Sequence, residues 1–219
     1  MRTRALSALL LVVPVAGLLW YGGLPWLAGL ILIAYLGNRE LYKALRQAGR
    51  RPLDVVGVFL AVALPGAAFA DPTLALVPAV ATIGIILSFV IVLVRSSVQG
   101  ALEDWALSLA GSLYSAVLLA YFVALRQRSQ GLEWMLLALL CTWACDSMAY
   151  LAGKALGRRP FAPRISPHKT WEGTVGGMMA AIAVGLLGAP LLGLPVWLCL
   201  LVGAAAGVAA IAGDLAESF

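Results

Sequence analysis

Three polar stretches interrupt an otherwise apolar chain of 219 residues, and chemistry is expected there. The first centres on Asp146, inside Cys141-Thr142-Trp143-Ala144-Cys145-Asp146-Ser147-Met148-Ala149-Tyr150. An ionisable residue within an apolar segment is costly and therefore a functional candidate by default. Tyr150 and Gly153 follow at four and seven residues, so all three share one helix face. The ordinary alternative is an Asp paired with a buried Arg, or one reached by water near a helix end. The second stretch runs from Gly157 to Gly177. Arg158, Arg159, Arg164 and Lys169 can neutralise phosphate oxygens there, and Ser166 and Thr170 supply hydroxyls. Thr170 is placed to cap a helix whose free amides would favour an anion. Gly173, Gly176 and Gly177 allow close approach of backbone, although small residues at this spacing also serve plain helix packing. The third is Gly213-Asp214-Leu215-Ala216-Glu217-Ser218, where Asp214 and Glu217 are three apart and can share a face. Carboxylates at an interface suit Mg²⁺, which takes one or two of them together with substrate phosphates. A charged cap at a membrane exit is the competing reading. Carboxylates for a metal beside a cationic, hydroxyl-rich loop suit phosphoryl or nucleotidyl transfer. A Ser/His hydrolase does not fit, because His168 is the single histidine.

The elements that position these residues follow from composition. Hydrophobic residues make up 63% and charged residues 11% of the chain, with a mean hydropathy of +0.98. Soluble proteins are about 25% charged. Uncharged runs at Ala5–Asn38, Val55–Ala70, Pro72–Val94, Trp105–Leu125 and from Gly173 to Gly213 are long enough to cross a bilayer. A soluble enzyme, a disordered chain and a disulfide scaffold are excluded. Turn residues at Tyr21-Gly22-Gly23-Leu24-Pro25 and from Gly188 to Pro195 split two of the runs. The expectation is an all-α, polytopic membrane helix bundle. Its eight spans fall near 5–21, 24–43, 55–70, 73–94, 104–125, 133–153, 172–191 and 195–213. It reads as one membrane domain over 1–219, with N-terminal spans in 1–131 and the motif-bearing spans and loop in 132–219.

Eight crossings place thirteen of the fifteen Lys and Arg residues on the side of the N-terminus, and only Arg126 and Arg128 on the other. By the positive-inside rule both termini are expected in the cytoplasm. The net charge of +5 is explained by loops facing anionic lipid and requires no nucleic acid. Arg2 and Arg4 before an apolar run resemble a signal peptide, but no convincing cleavage site follows, so the segment is read as an uncleaved first helix. Cys141, Cys145 and Cys199 match no metal or haem spacing and are expected to pack in the interior.

Taken together, Asp146-Ser147-Met148-Ala149-Tyr150, Gly153, Ser166-Pro167-His168-Lys169-Thr170-Trp171-Glu172-Gly173, Gly176-Gly177 and the Gly213–Ser218 stretch resemble the phosphatidate cytidylyltransferase (CDP-diacylglycerol synthase) family. The resemblance covers the whole chain, with its specific motifs between Asp146 and Ser218. It implies transfer of CMP from CTP to phosphatidic acid, release of pyrophosphate, and dependence on Mg²⁺, with room for a second cation. It also implies a bacterial inner-membrane enzyme of phospholipid synthesis. The family often has Lys where this chain has His168. The family signature also continues past the Gly-Asp-x-x-x-Ser opening, so 219 residues read as eight spans of an expected nine, with a second metal-binding carboxylate beyond Phe219.

On this reading Asp146, Lys169 and Asp214 are the catalytic candidates, and Asp214 with Glu217 the metal candidates. Ser166, Thr170, Glu172, Gly173, Arg164, Arg158 and Tyr150 are the substrate-binding candidates. Asp146 would position water, a cation or a basic neighbour. The rival readings are a CTP-dependent kinase of the polyprenol or phytol type, a small ion-coupled transporter, and an inactive fragment. Small-residue helix faces add the expectation of a homodimer.

Overall fold

The computed structural model describes residues 13–94, 100–216 and 218. The chain divides into two compact units, Met1–Gly131 and Leu132–Phe219. Helices occupy the described parts of the eight expected segments, residues 5–12 of the first lying outside the described residues: α1 over 13–21, α2 Gly23–Gln47, α3 Asp54–Ala70, α4 Leu76–Val94, α5 Ala101–Arg126, α6 Gly131–Leu156, α7 Trp171–Leu192 and α8 Val196–Ala216. Among the described residues five of these, α4 to α8, are long and apolar enough to cross a membrane. α3 is apolar but shorter, and α2 carries Arg39, Glu40, Lys43 and Arg46 in its last turns. The chain is an integral membrane protein of the all-α class.

The first unit is built around α3, whose Val56, Leu60, Ala61, Leu64 and Ala68 are fully buried. It packs on α2, α4 and α5. Polar side chains tie these apolar helices together. The Asn38 amide donates to the Gly57 carbonyl at 3.1 Å. The Tyr42 and Ser112 hydroxyls lie 2.6 Å apart, and the Leu53 amide donates to Ser108 Oγ at 3.1 Å. Inside a bilayer every such group must find its partner within the protein. No described buried side-chain nitrogen or oxygen is left without one.

Arg46 holds the Asp54 carboxylate at 2.8 and 3.0 Å, and Arg50 pairs with Glu103, so basic residues at and just beyond the end of α2 pin the starts of α3 and α5. At the C-terminal end of α5, Arg126 donates to the Leu19 and Trp20 carbonyls and Arg128 to the Pro72 carbonyl. Gly22, at φ 66°, leaves the space that the Arg126 guanidinium fills; a Cβ there would lie 2.8 Å from Nη2.

The second unit contains α6, a short hairpin, α7 and α8. The stretch expected to be a basic loop folds into two antiparallel strands, β1 Pro160–Ala162 and β2 Ser166–Thr170, with a register irregularity between Pro160 and Ala162. A turn closed by the Ile165 amide on the Ala162 carbonyl connects them. The hairpin is hidden in the sequence because its three prolines, with Arg164 and Lys169, leave no two-residue apolar alternation. Backbone pairing, the Trp171 amide on the Arg159 carbonyl at 2.9 Å, and the edge-to-face Phe161–Trp171 contact hold it instead. Beneath it, Leu137, Cys141, Cys145, Ala181, Ala189, Leu194 and Cys199 form a dry core, and the three cysteines are free thiols.

Candidate active site

The polar motifs of the second unit converge on one end of its helices. α6 contributes the C-terminal half of its length, α7 its first turn and α8 its last turns. Between them lies a cavity of about 450 Å³. α6 lines it with Asp146, Ala149, Tyr150, Gly153 and Lys154; the hairpin adds Phe161, Ser166, His168, Lys169 and Thr170. α7 and α8 complete the wall with Gly173, Thr174, Ile211 and Asp214. Asp146 is ten residues from the end of α6, about 15 Å along the axis, so the cavity carries a carboxylate deep along a membrane helix. This is how an ionisable residue is tolerated within a span.

Glycines let α6 and α7 approach closely enough to form the cavity floor. A Cβ on Gly173 would stand 2.7 Å from the Ala149 carbonyl oxygen, and one on Gly177 would stand 2.7 Å from that of Cys145. Either would drive backbone from backbone. Thr170 caps α7: its backbone is extended, and its hydroxyl accepts the Gly173 amide at 3.2 Å. The Thr174 hydroxyl donates back to the Thr170 carbonyl at 3.0 Å. The cap fixes the direction in which β2 enters the helix, and so aims Lys169.

Lys169 Nζ meets Asp214 Oδ2 at 2.9 Å and also donates to the Asp214 carbonyl. This ties the hairpin to the end of α8. The Lys169 side chain is 21% exposed and that of Asp214 59%, so solvent reaches the pair. Ser218 Oγ closes the same turn on the Asp214 carbonyl at 2.9 Å.

The site residues expected from the sequence separate into groups. Asp146, Tyr150, Ser166, Lys169, Thr170, Gly173 and Asp214 line one cavity. Arg158 and Glu172 do not line it; they border a second recess on the other side of the α6–α7 seam. There the Glu172 carboxylate accepts the backbone amides of Arg158 and Arg159 at 3.1 and 3.3 Å, a loop-holding role. Arg164 is exposed in the hairpin turn and lines neither space. Glu217 lies outside the described residues. Lys154 and Thr174 line the cavity unanticipated. The signal for Lys154 was present: it stands four residues beyond Tyr150 and eight beyond Asp146, on the same stripe of α6.

The donor set is chemically suited to Mg²⁺. Asp146 and Asp214 offer hard carboxylate oxygens to one space, with hydroxyls and an ammonium alongside for phosphate. Among the described residues no three His, Cys, Asp or Glu side chains converge into a ready-made cage. An ion held here would draw its remaining ligands from water and phosphate, the usual habit of Mg²⁺.

The sequence profile of the cytidylyltransferase family matches residues 2–219. The chain belongs to that family. Among its relatives, the phosphatidate cytidylyltransferase of Synechocystis is 31% identical over 246 residues, covering 98% of this chain and 82% of the relative. That of Staphylococcus haemolyticus is 30% identical over 226 residues, covering all of this chain and 84% of the relative. A shorter match to the Brucella abortus enzyme reaches 46% identity over 83 residues, 35% of this chain and 29% of the relative. Membership makes the chain a nucleotidyltransferase.

Proposed function

We propose that the chain is a phosphatidate cytidylyltransferase, transferring CMP from CTP to phosphatidic acid to give CDP-diacylglycerol and pyrophosphate. One observation carries the assignment to this cavity. Asp146, Lys169 and Asp214, from three separate elements, line a single space at one end of a membrane helix cluster. A polar cavity there admits a nucleotide from water while a lipid headgroup enters from the bilayer.

A phosphate oxygen of phosphatidate attacks the α-phosphorus of CTP, and the bond to the β-phosphate breaks in line with it. Pyrophosphate departs with the electron pair. The chain's own work is alignment and charge neutralisation. Lys169, with the hydroxyls of Ser166 and Thr170, holds phosphate oxygens, and Lys154 adds positive charge at the mouth. Because the Lys169–Asp214 pair is solvent-accessible, triphosphate can take over Lys169 and free the Asp214 carboxylate. Asp214 and Asp146 are the residues that would hold Mg²⁺. When bound, the ion supplies Lewis-acid stabilisation of the charge on the transferring and leaving phosphates. Glu217 and a second cation complete the proposed metal chemistry. His168, where relatives of this type often carry Lys, leaves Lys169 as the principal cation of β2.

The setting that fits is a bacterial inner membrane, with the motif-bearing end of the second unit in the cytoplasm and both termini of the chain on that side. Thirteen of fifteen basic residues support that orientation. A homodimer formed through small-residue helix faces is part of the same proposal. The test is product identity: CTP and phosphatidate should yield pyrophosphate and a CMP-bearing lipid in equal amounts. Release of CDP with a newly phosphorylated lipid alcohol would identify a kinase instead.

A further inference from the structure

The recess behind the α6–α7 seam has a volume of about 920 Å³ and shares no residue with the catalytic cavity. Its chemistry is two-ended. Met148, Ala152 and Leu156 form a stripe along α6 at four-residue spacing; Val175 and Met179 face them from α7. At the end where the helices emerge stand Arg158 and Arg159, with Trp171 beside them. No ion pair to either guanidinium occurs among the described residues, and both arginines are exposed. The one carboxylate lining the recess, Glu172, accepts their backbone amides and lies near enough to feel the Arg159 charge, so two guanidinium groups face one carboxylate and this end stays net positive.

We infer that this recess is a second lipid site, holding an anionic glycerophospholipid of the surrounding bilayer. Its phosphate sits on Arg158 and Arg159, and one acyl chain lies along Met148, Ala152, Val175 and Met179. Charge complementarity selects this occupant. A zwitterionic lipid brings a cation to the arginine pair, and an apolar protein segment leaves both guanidinium groups unanswered. Guanidinium forks bind phosphate oxygens well, and Trp171, the first residue of α7, is of a type favoured at membrane interfaces. The occupant also reaches the catalytic hairpin indirectly. Arg159 accepts the Trp171 amide through its carbonyl and immediately precedes β1, so a lipid holding Arg158 and Arg159 steadies the strand pair that presents Lys169.

The inference concerns binding and does not depend on the reaction proposed for the other cavity. Native mass spectrometry of the purified full chain, released from nanodiscs of phosphatidylcholine with phosphatidylglycerol, measures it directly. The wild type should retain phosphatidylglycerol in preference to phosphatidylcholine. R158Q/R159Q should weaken that retention roughly thirtyfold, at about one kcal/mol per basic residue. R158K/R159K should keep most of it, which separates charge from folding. Lys169→Ala, in the catalytic cavity, should leave it unchanged. Equal retention of the two lipids, equal retention by R158Q/R159Q, or a dimer that covers the recess and carries no lipid would overturn the inference.

Discussion

The two units use polar side chains in opposite ways. In the first, Asn38, Tyr42, Ser108 and Ser112 are buried between apolar helices and spend their hydrogen bonds on backbone carbonyls, backbone amides and one another. In the second, Asp146, Tyr150, Ser166, Lys169 and Asp214 turn toward a cavity, and the dry core beneath them is made of Leu, Ala and Cys. Arginine divides in the same way. Arg46, Arg50, Arg126 and Arg128 of the first unit are committed to carboxylates or carbonyls, whereas Arg158 and Arg159 are not. A polar group buried among packed helices stabilises; Lys169 and Asp214, paired at the solvent-reached edge of a space, can exchange each other for a ligand.

Substitutions can break or sharpen that contrast. The largest effect is expected at Lys169. Lys169→Ala should lower kcat/KM for CMP transfer by about a hundredfold or more. Its effect on thermal stability should be small, since a partly exposed ion pair contributes about 0–1 kcal/mol. A stability loss without a rate loss would move Lys169 into the structural group. Gly173→Ala should affect both properties, because its Cβ would stand 2.7 Å from a backbone oxygen of α6. Overpacking of this kind costs about 1–3 kcal/mol, and thermal unfolding together with single-turnover kinetics should register it.

Tyr42→Phe gives the complementary result. The Ser112 hydroxyl loses its 2.6 Å partner. Stability should fall by about 1–3 kcal/mol, while turnover per folded molecule stays as in the wild type. Thr170→Ala removes the cap of α7. It should cost about 1 kcal/mol and raise KM for CTP through loosened aim of Lys169.

The smallest effect concerns Asp71, ahead of α4. Its carboxylate accepts the Thr73 hydroxyl at 2.6 Å, then the Thr73 amide at 3.0 Å and the Ala75 amide at 3.1 Å; these bonds hold its pKa below the ordinary value. The contribution is therefore complete above the unfolded carboxyl range, about pH 4, and is lost as pH falls through the lower folded value. Asp71→Ala should flatten that acid limb of the stability profile and leave CMP transfer at neutral pH untouched.

Much of this was legible in the sequence for physical reasons. Helix positions follow from uninterrupted apolar length, which a bilayer enforces more strictly than water does. Asp146, Tyr150 and Gly153 were correctly placed on one face because helix geometry is periodic, and Thr170 was recognisable as a cap by residue type. The hairpin was not legible, since three prolines and a register irregularity leave no alternation to read. Nor could the sequence show that Arg158 and Glu172 fall behind the seam, because Arg158 follows the end of α6 at Leu156 and the loop decides its direction. The polar network of the first unit was equally hidden, because Ser and Asn within apolar runs look alike whether they face lipid, water or one another.

The most direct measurement follows the α-phosphorus. With CTP labelled there and phosphatidate in membranes or mixed micelles, the wild-type chain should move label into lipid, one pyrophosphate appearing for each CMP transferred. Asp214→Asn, present at equal amount and equally folded, should transfer none. Undiminished labelling of lipid by Asp214→Asn would contradict the assignment of this cavity as the site of cytidylyl transfer.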